Sequence, residues 1–227
     1  METRKINTFH APKWNDRQTL KRFEITKQFV KKYLRQKSGY VLDIGNRNPF
    51  GENLGKYFNL EYIHTKGDLN FEWEISKNVE IKVVFCFETL EHLINPGNIL
   101  DKVFGLIQKD AQVFISVPRT PRWLGWNPAH FHEFDCNRFN YMMNYFGYKE
   151  IAHEQHTLWH NWKWYLHGIR PIFFRWNVGR NKTHWYYLER SRIGKKPRSD
   201  LSNTVKPNAA GGRQGSPTRI ITCLRAG

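Results

Sequence analysis

The segment VLDIG at residues 41–45 constrains the fold of this chain more than any other feature. Tyr40 to Ile44 form a short apolar run that only Asp43 interrupts, which is typical of a strand buried on both faces of a sheet. Gly45 then predicts a tight turn, where the absence of a Cβ lets a ligand approach the backbone. Together these residues predict the first strand of a Rossmann-like, nucleotide-binding domain.

Predicted strands and helices alternate along the rest of the chain, which indicates βαβ units in a mainly parallel sheet. Strands are predicted at residues 40–44, 60–64, 81–87, 112–117, 148–154 and 184–189. Amphipathic spacing predicts helices at about residues 16–36, 52–58, 98–107 and 137–146. The predicted fold class is therefore α/β, doubly wound, with helices on both faces of the sheet.

Composition divides the 227 residues into three parts. Residues 1–37 form a basic segment with the first helix, and residues 38–190 form the predicted domain. Residues 191–227 are rich in Gly, Pro, Ser, Asn and Arg and have no periodicity, which predicts a disordered tail. An aromatic and basic insertion at about residues 156–180 is suited to an apolar acceptor pocket, to a membrane interface or to stacking on nucleobases.

The formal net charge is +16, and most of the excess lies in the two flanks. Such a charge attracts nucleic acid, anionic lipid or phosphorylated substrates. No apolar run approaches the length of about 20 residues that spans a bilayer, and the N-terminus has no signal-peptide h-region. The expected location is the cytoplasm, with peripheral membrane or nucleic-acid contact through the basic flanks. Because the three cysteines are far apart, neither a disulfide framework nor a metal site is predicted.

The turn after the first predicted strand lacks two common nucleotide signatures. Residues 45–51 read GNRNPFG, which does not fit the G-x-G-x-x-G dinucleotide pattern. The chain also lacks the G-x-x-x-x-G-K-[ST] phosphate loop. NAD and ATP are therefore disfavoured as ligands.

Five elements, in order along the chain, resemble class I S-adenosylmethionine-dependent methyltransferases, in the small-molecule branch that includes ubiquinone-type O-methyltransferases. They are VLDIG at 41–45, FCFETLEHL at 85–93 with NP at 95–96, QVFISVP at 112–118, AHFHEF at 129–134 and GY at 147–148. The resemblance covers about residues 38–190. It implies a seven-stranded sheet, here with one strand shortened, and S-adenosylmethionine as the cofactor.

The resemblance also implies the cofactor-binding residues, of which Asp43 is expected to face the ammonium or the ribose. The predicted set is Asp43, Gly45, Asn46, Asp68, Phe87, Glu88 and His92. Two positions depart from the family pattern. Arg47 stands where a second glycine is usual, and residues 64–66 read HTK where an acidic residue usually binds the ribose. Asp68 is the nearest acid, and it is expected to take over the ribose or to lie by the adenine.

Two histidines after the fifth predicted strand are the catalytic candidates. Methyl transfer from a sulfonium is an in-line displacement, which mainly requires that the acceptor is held in position. A hydroxyl acceptor must also lose a proton, and histidine is the usual base near neutral pH. His130 and His132 lie on the substrate side of such a fold, with His130 preferred as base or acceptor-orienting residue. The predicted reaction is methylation, at oxygen, of a small-molecule, sugar or lipid-linked acceptor.

Two alternative functions stay open on the sequence. The charge favours an RNA methyltransferase, although residues 87–90 read FETL where amino-methylating enzymes carry [DN]-P-P-[YF]. Arg47 and the missing acid favour a non-catalytic binding protein on a methyltransferase fold.

Overall fold

Helices and strands alternate in the computed structural model, which describes residues 17–119, 130–159 and 180–191. The helices are α1 (Arg17–Tyr33), α2 (Pro49–Tyr57), α3 (Pro96–Leu106) and α4 (Cys136–Tyr145). The strands are β1 (Tyr40–Asp43), β2 (Glu61–Gly67), β3 (Trp73–Ile75), β4 (Ile81–Phe87), β5 (Ile107–Arg119), β6 (Tyr148–Trp159) and β7 (Arg180–Arg190). A short 3-10 helix, Leu90–His92, follows β4. Most of the predicted aromatic insertion and nearly all of the predicted tail lie outside the described residues.

The strands form one seven-stranded sheet in the order β3-β2-β1-β4-β5-β7-β6. Neighbouring strands from β2 to β5 run parallel, whereas β3 is antiparallel to β2, and β7 is antiparallel to both β5 and β6. The carboxyl ends of β1, β2, β4 and β5 therefore meet at one edge, where ligands bind in open α/β sheets. The predicted doubly wound, mainly parallel α/β sheet is confirmed.

The helices cover both faces of this sheet. On one face, Phe29 and Val30 of α1 and Leu54 of α2 are buried in a single apolar cluster. On the other face, Leu100 of α3 and Phe139 of α4 belong to a second cluster. The N-terminal helix is thus part of the core. No helix within the described ranges combines the length and apolar character needed to cross a bilayer.

The edge strand β3 is absent from the sequence prediction, because three residues are too few to show a period. It pairs with β2 as a hairpin in place of a crossover helix. Gly67 has φ +92, and a Cβ there would approach the Cα of Trp73 to 3.2 Å, so the turn requires glycine. On this side, the seven-stranded sheet therefore ends in a short strand that is antiparallel to its neighbour.

Several elements begin or end away from their predicted limits. Helix α2 begins at Pro49, three residues before the predicted start, because Asn48 accepts a hydrogen bond from the Gly51 amide at 2.7 Å and proline suits the first helical position. Strand β5 begins at Ile107, five residues before its predicted start. At the ligand-binding edge, β2 ends at Gly67 and β5 at Arg119, three and two residues beyond their predicted ends.

Candidate functional site

Gly45 forms an open turn directly beyond β1. Its φ of +143 is a conformation that side chains rarely adopt, so the position favours glycine on backbone grounds. A Cβ there would have Thr89 Oγ1, at 4.0 Å, as its nearest contact. The Ile44 amide donates to the Phe85 carbonyl at 2.8 Å, which joins the turn to β4. The backbone of Gly45 is therefore accessible from the edge of the sheet.

Asp43 is a buried carboxylate next to this turn, with 5% of its surface exposed. Its Oδ2 accepts hydrogen bonds from Asn48 Nδ2 at 2.7 Å and from the Tyr62 hydroxyl at 3.0 Å. Burial raises the pKa of Asp43 to about 6, and the two hydrogen bonds partly oppose this rise. The carboxylate is thus held in one orientation at the predicted cofactor site.

Arg47, the first departure from the family pattern, is bound at the surface. Its Nε donates to Glu52 Oε1 at 2.6 Å, and 69% of the side chain is exposed. The neighbouring Asn46 is also exposed, and its carbonyl accepts from Asn48 Nδ2 at 3.2 Å. Glu52 therefore pairs with the positive charge of Arg47, the residue that stands in place of the usual glycine.

Thr65 lies near the end of β2, within residues 64–66, where the family that the sequence resembles usually carries an acidic residue. Its buried hydroxyl accepts from the Gly45 amide at 2.9 Å and lies 3.0 Å from the Gly45 carbonyl, to which it donates. The sequence did not assign this role to Thr65, because it depends on the pairing of β1 with β2. At the second departure, a threonine hydroxyl therefore fixes the glycine turn.

Replacing Thr65 by valine is expected to lower the free energy of unfolding by about 1–3 kcal/mol, because both backbone groups of Gly45 lose their partner. Chemical denaturation measures this change. Thr65→Ser is the matched control, since it keeps the hydroxyl and should stay closer to the wild type. Equal losses in the two variants would mean that the methyl group, and not the hydroxyl, matters.

Asp68 lies in the β2–β3 hairpin turn, at the same edge of the sheet as Gly45. It is exposed, and its Oδ1 accepts from the Asn70 amide at 2.8 Å. Asn70 Oδ1 in turn accepts from the Ile94 amide at 2.7 Å, which links the hairpin to the segment after the 3-10 helix. Asp68, which was predicted to contact the ribose or the adenine, therefore has a local role in the turn, and it is exposed to solvent.

Glu88 lies directly after β4 and joins three elements. Its Oε2 pairs with Arg22 NH1 of α1 at 3.0 Å, and its Oε1 accepts from Ser116 Oγ of β5 at 3.2 Å. Its φ of +52 is uncommon for a residue with a side chain, and such strain tends to occur at functional sites. The structure adds Arg22 and Ser116 to the predicted site residues; neither lies near Glu88 in the sequence.

Three phenylalanine rings form an apolar wall near Glu88. Phe87 lies 6.2 Å from Phe50 of α2, and Phe50 stacks on Phe23 of α1 at 4.0 Å between ring centroids. Rings in such an arrangement can line a pocket for an adenine or an apolar acceptor. The predicted cofactor residue Phe87 is thus part of this wall.

The segment that carries the predicted catalytic residues packs against the 3-10 helix. The Glu91 carbonyl accepts from the Phe131 amide at 2.8 Å and from the His132 amide at 3.2 Å. These bonds bring the ring of His130 edge-to-face onto His92, with ring centroids 4.8 Å apart. Residues predicted separately as cofactor-binding and catalytic therefore meet at one place.

Burial shifts the pKa values of His130 and Glu91 in this segment and the 3-10 helix. The pKa of His130 is lowered to about 4, first by burial and then by the charges of His92 and Arg22. The pKa of Glu91, which is 1% exposed, is raised well above its ordinary value by burial and by Glu88. His130 is therefore neutral, and able to accept a hydrogen bond, throughout the physiological pH range.

His132 has a different environment from His130. Its Nε2 donates to the Ile94 carbonyl at 3.1 Å, and its ring stacks on Phe134 with centroids 5.8 Å apart. These contacts hold the segment in place and occupy Nε2 of His132.

Glu91, His92 and His130 can also hold a metal ion, although the sequence did not predict one. Each offers a ligand atom, and these atoms lie within 4.8 Å of one another. Neither carboxyl oxygen of Glu91 has a hydrogen-bond partner among the described residues. A carboxylate with imidazoles is a ligand set common to divalent transition metals.

Several solved structures with the same fold are methyltransferases, and their sequence identity to this chain is very low. A methyltransferase of Bacillus halodurans, described as putative, has a TM-score of 0.52 and 9% identity, over 74% of this chain and 99% of that one. The phosphoethanolamine N-methyltransferase 2 of Haemonchus contortus, in complex with S-adenosylmethionine, has a TM-score of 0.53 and 9% identity. That match covers 74% of this chain and 53% of the Haemonchus chain, so this chain spans about half of that protein.

These comparisons define the class of fold. The chain has the Rossmann-like fold of the class I methyltransferases, as the strand order also indicates. The same fold occurs in the [4+2]-cyclase SpnF, with a TM-score of 0.50 and 6% identity over 74% of this chain and 80% of that one. A shared fold does not fix a reaction. No protein-family model and no curated protein matches the sequence.

Proposed function

We propose that this chain is an S-adenosylmethionine-dependent methyltransferase that acts on oxygen of a small-molecule, sugar or lipid-linked acceptor. The observation that carries the proposal is the buried carboxylate of Asp43 beside the open Gly45 turn. Both lie at the edge of the sheet where β1 and β4 end. In this class of fold, that edge is where a ligand meets the backbone without hindrance.

The residues at this edge suit the charges of the cofactor. Asp43 offers a carboxylate to the ammonium or the ribose, and two hydrogen bonds on Oδ2 orient it in advance. Gly45 leaves the space beside its Cα open, the exposed Asn46 lies next to it, and the N-terminus of α2 favours the methionine carboxylate. Asp68, at the hairpin turn, is the carboxylate nearest in sequence for the ribose or the adenine edge.

The residues after β4 and β5 complete the proposed site. When bound, S-adenosylmethionine supplies a methyl group that its sulfonium already activates. The wall of three phenylalanine rings, which includes Phe87, lies near Glu88, and His92 supports the ring of His130. The neutral imidazole of His130 accepts a hydrogen bond from the acceptor hydroxyl and fixes the position of its oxygen. Because a pKa of about 4 makes His130 a weak base, orientation is its main contribution, and the hydroxyl proton passes to solvent as the oxygen–methyl bond forms and the sulfur–methyl bond breaks.

Calorimetric titration of the full chain tests the cofactor. We expect saturable heat with S-adenosylmethionine and with S-adenosylhomocysteine, and none with ATP or NAD, for which the sequence lacks the binding motifs. No heat at millimolar S-adenosylmethionine would overturn the proposal. Binding without methylation would favour the non-catalytic alternative.

A methylation assay on fractionated cell extract tests the reaction and the acceptor class. Cofactor-dependent labelling of a small or lipid-extractable product is the expected result, and Asp43→Ala is the control. Full activity of that variant would show that the cofactor site is wrongly placed. A shift of labelled RNA whose salt dependence indicates several phosphate contacts would favour the RNA alternative instead.

A further inference from the structure

One thiol and two imidazoles from three different elements meet on the face of the sheet that α4 covers. Cys136 is the first residue of α4, His153 lies in β6, and His184 lies in β7. Cys136 Sγ is 3.6 Å from His184 Nδ1, and His153 Nε2 is 2.8 Å from the same nitrogen. None of these residues belongs to the proposed cofactor or acceptor contacts.

The spacing is close to that of a tetrahedral zinc site. Zinc binds sulfur at about 2.3 Å and imidazole nitrogen at about 2.0–2.1 Å, so tetrahedral ligands lie about 3.6 Å apart for S and N and about 3.4 Å apart for two N. The Cys136–His184 distance already matches. The two histidines need to separate by about half an ångström, and all three ligand atoms lie within 4.8 Å of one another.

The surrounding charge decides which kind of metal fits. Arg119 and Lys182 are positive, so they oppose a cation that binds through neutral nitrogens alone. A thiolate offsets this repulsion, and Cys136 is the first residue of α4, where the helix dipole favours a negative charge. A ligand set of one sulfur and two nitrogens selects a thiophilic ion such as zinc over magnesium or calcium.

We infer that Cys136, His153 and His184 form a zinc site with three protein ligands and an open fourth position. The ion joins the N-terminus of α4 to β6 and β7. His184 pairs with Val117 near the end of β5, so the site lies near the edge where the proposed acceptor binds. The alternative is a metal-free hydrogen bond between the two imidazoles, which accounts for their 2.8 Å separation.

Cobalt substitution in the full chain separates these two arrangements. The chelator-treated protein is titrated with Co²⁺, and we expect one equivalent to give a sulfur-to-cobalt charge-transfer band together with intense tetrahedral d–d bands. Zn²⁺ should displace the cobalt and remove both signals. No charge-transfer band in the wild-type chain would overturn the proposal, as would cobalt bound through nitrogen and oxygen alone at Glu91, His92 and His130.

Variants assign the ligands. Cys136→Ser should abolish the charge-transfer band, and His153→Gln or His184→Gln should weaken metal binding by at least about 10- to 100-fold, the loss usual even for outer-shell partners. Cys86→Ala and Cys223→Ser are the matched thiol controls and should keep the band. Loss of the band in either control, or its persistence in Cys136→Ser, would refute the assignment. Circular dichroism of each variant confirms that it is folded.

Discussion

Replacing Asp43 by asparagine is expected to weaken S-adenosylmethionine binding by about 10- to 150-fold, which corresponds to the loss of one hydrogen bond to a charged group, about 1.5–3 kcal/mol. Asparagine keeps the shape of the side chain and an oxygen for Asn48 and Tyr62, so the change removes the charge and little else. Calorimetric titration measures the loss.

The same substitution is expected to stabilise the fold at neutral pH. Because burial raises the pKa of Asp43 to about 6 from an ordinary 3.8, the folded chain binds the proton more tightly than the unfolded chain. The stability contributed by Asp43 is therefore fully present below about pH 4 and is lost as the pH rises through about 6. The loss amounts to about 3 kcal/mol, at 1.36 kcal/mol per pKa unit. Asparagine remains neutral and avoids it.

Chemical denaturation of the wild type and of the asparagine variant across this pH range checks the sign of this stability difference. The two should be similar near pH 4 and diverge as the pH rises, with the variant more stable. For the wild type, cofactor affinity should increase as the pH rises through about 6, because the cationic ligand favours the ionised carboxylate. Tyr62→Phe is the matched control, since it removes one hydrogen bond and keeps the charge. Unchanged binding by the asparagine variant would remove Asp43 from the cofactor site.

Replacing His130 by alanine is expected to lower kcat by about 100-fold, the cost of an acceptor misplaced by about 1 Å, with cofactor affinity nearly unchanged. His130→Asn retains a hydrogen-bond acceptor and should recover part of the rate. Steady-state kinetics, once the acceptor is known, measures both variants against the wild type.

The pH profile separates an orienting His130 from an ordinary histidine base. With its pKa lowered to about 4, His130 stays neutral from about pH 5 upwards, so kcat should show no inflection from this residue near pH 6.5. An inflection there that disappears in the alanine variant would contradict this protonation state. His132→Ala is the matched control. Because Nε2 of His132 binds the Ile94 carbonyl, this variant should have a lower free energy of unfolding and a kcat close to that of the wild type.

The parts of the fold that local sequence predicts are those with long or distinctive patterns. Residues 41–45 predict the first strand and the glycine turn, because a buried strand and a backbone that needs glycine are both local properties. The short strand β3 has no such pattern. Thr65 could not be assigned to Gly45 without the register of β1 on β2, which sequence periodicity does not give.

The site residues that sequence reasoning missed are joined only by the fold. Arg22 and Glu88 are 66 residues apart, and Cys136 and His184 are 48 residues apart, with no motif spacing in either pair. Asp43, Glu88 and His130 were predicted because each lies in a segment that resembles a known family. Of their partners, Asn48, Tyr62 and Arg22 lie in segments without that resemblance, whereas Ser116 and His92 lie in segments that carry it.

The packing of α2 on Asp43 links local opening of the helix to ligand binding. A Cβ at Gly51 would meet Asp43 Oδ2 and would lie 2.8 Å from Tyr62 Cε2, so the helix approaches the carboxylate as closely as a backbone can. Asn48 both binds that carboxylate and caps the helix. A ligand that binds Asp43 therefore also holds the first turn of α2 closed. Amide hydrogens of this turn should therefore exchange more slowly in the complex.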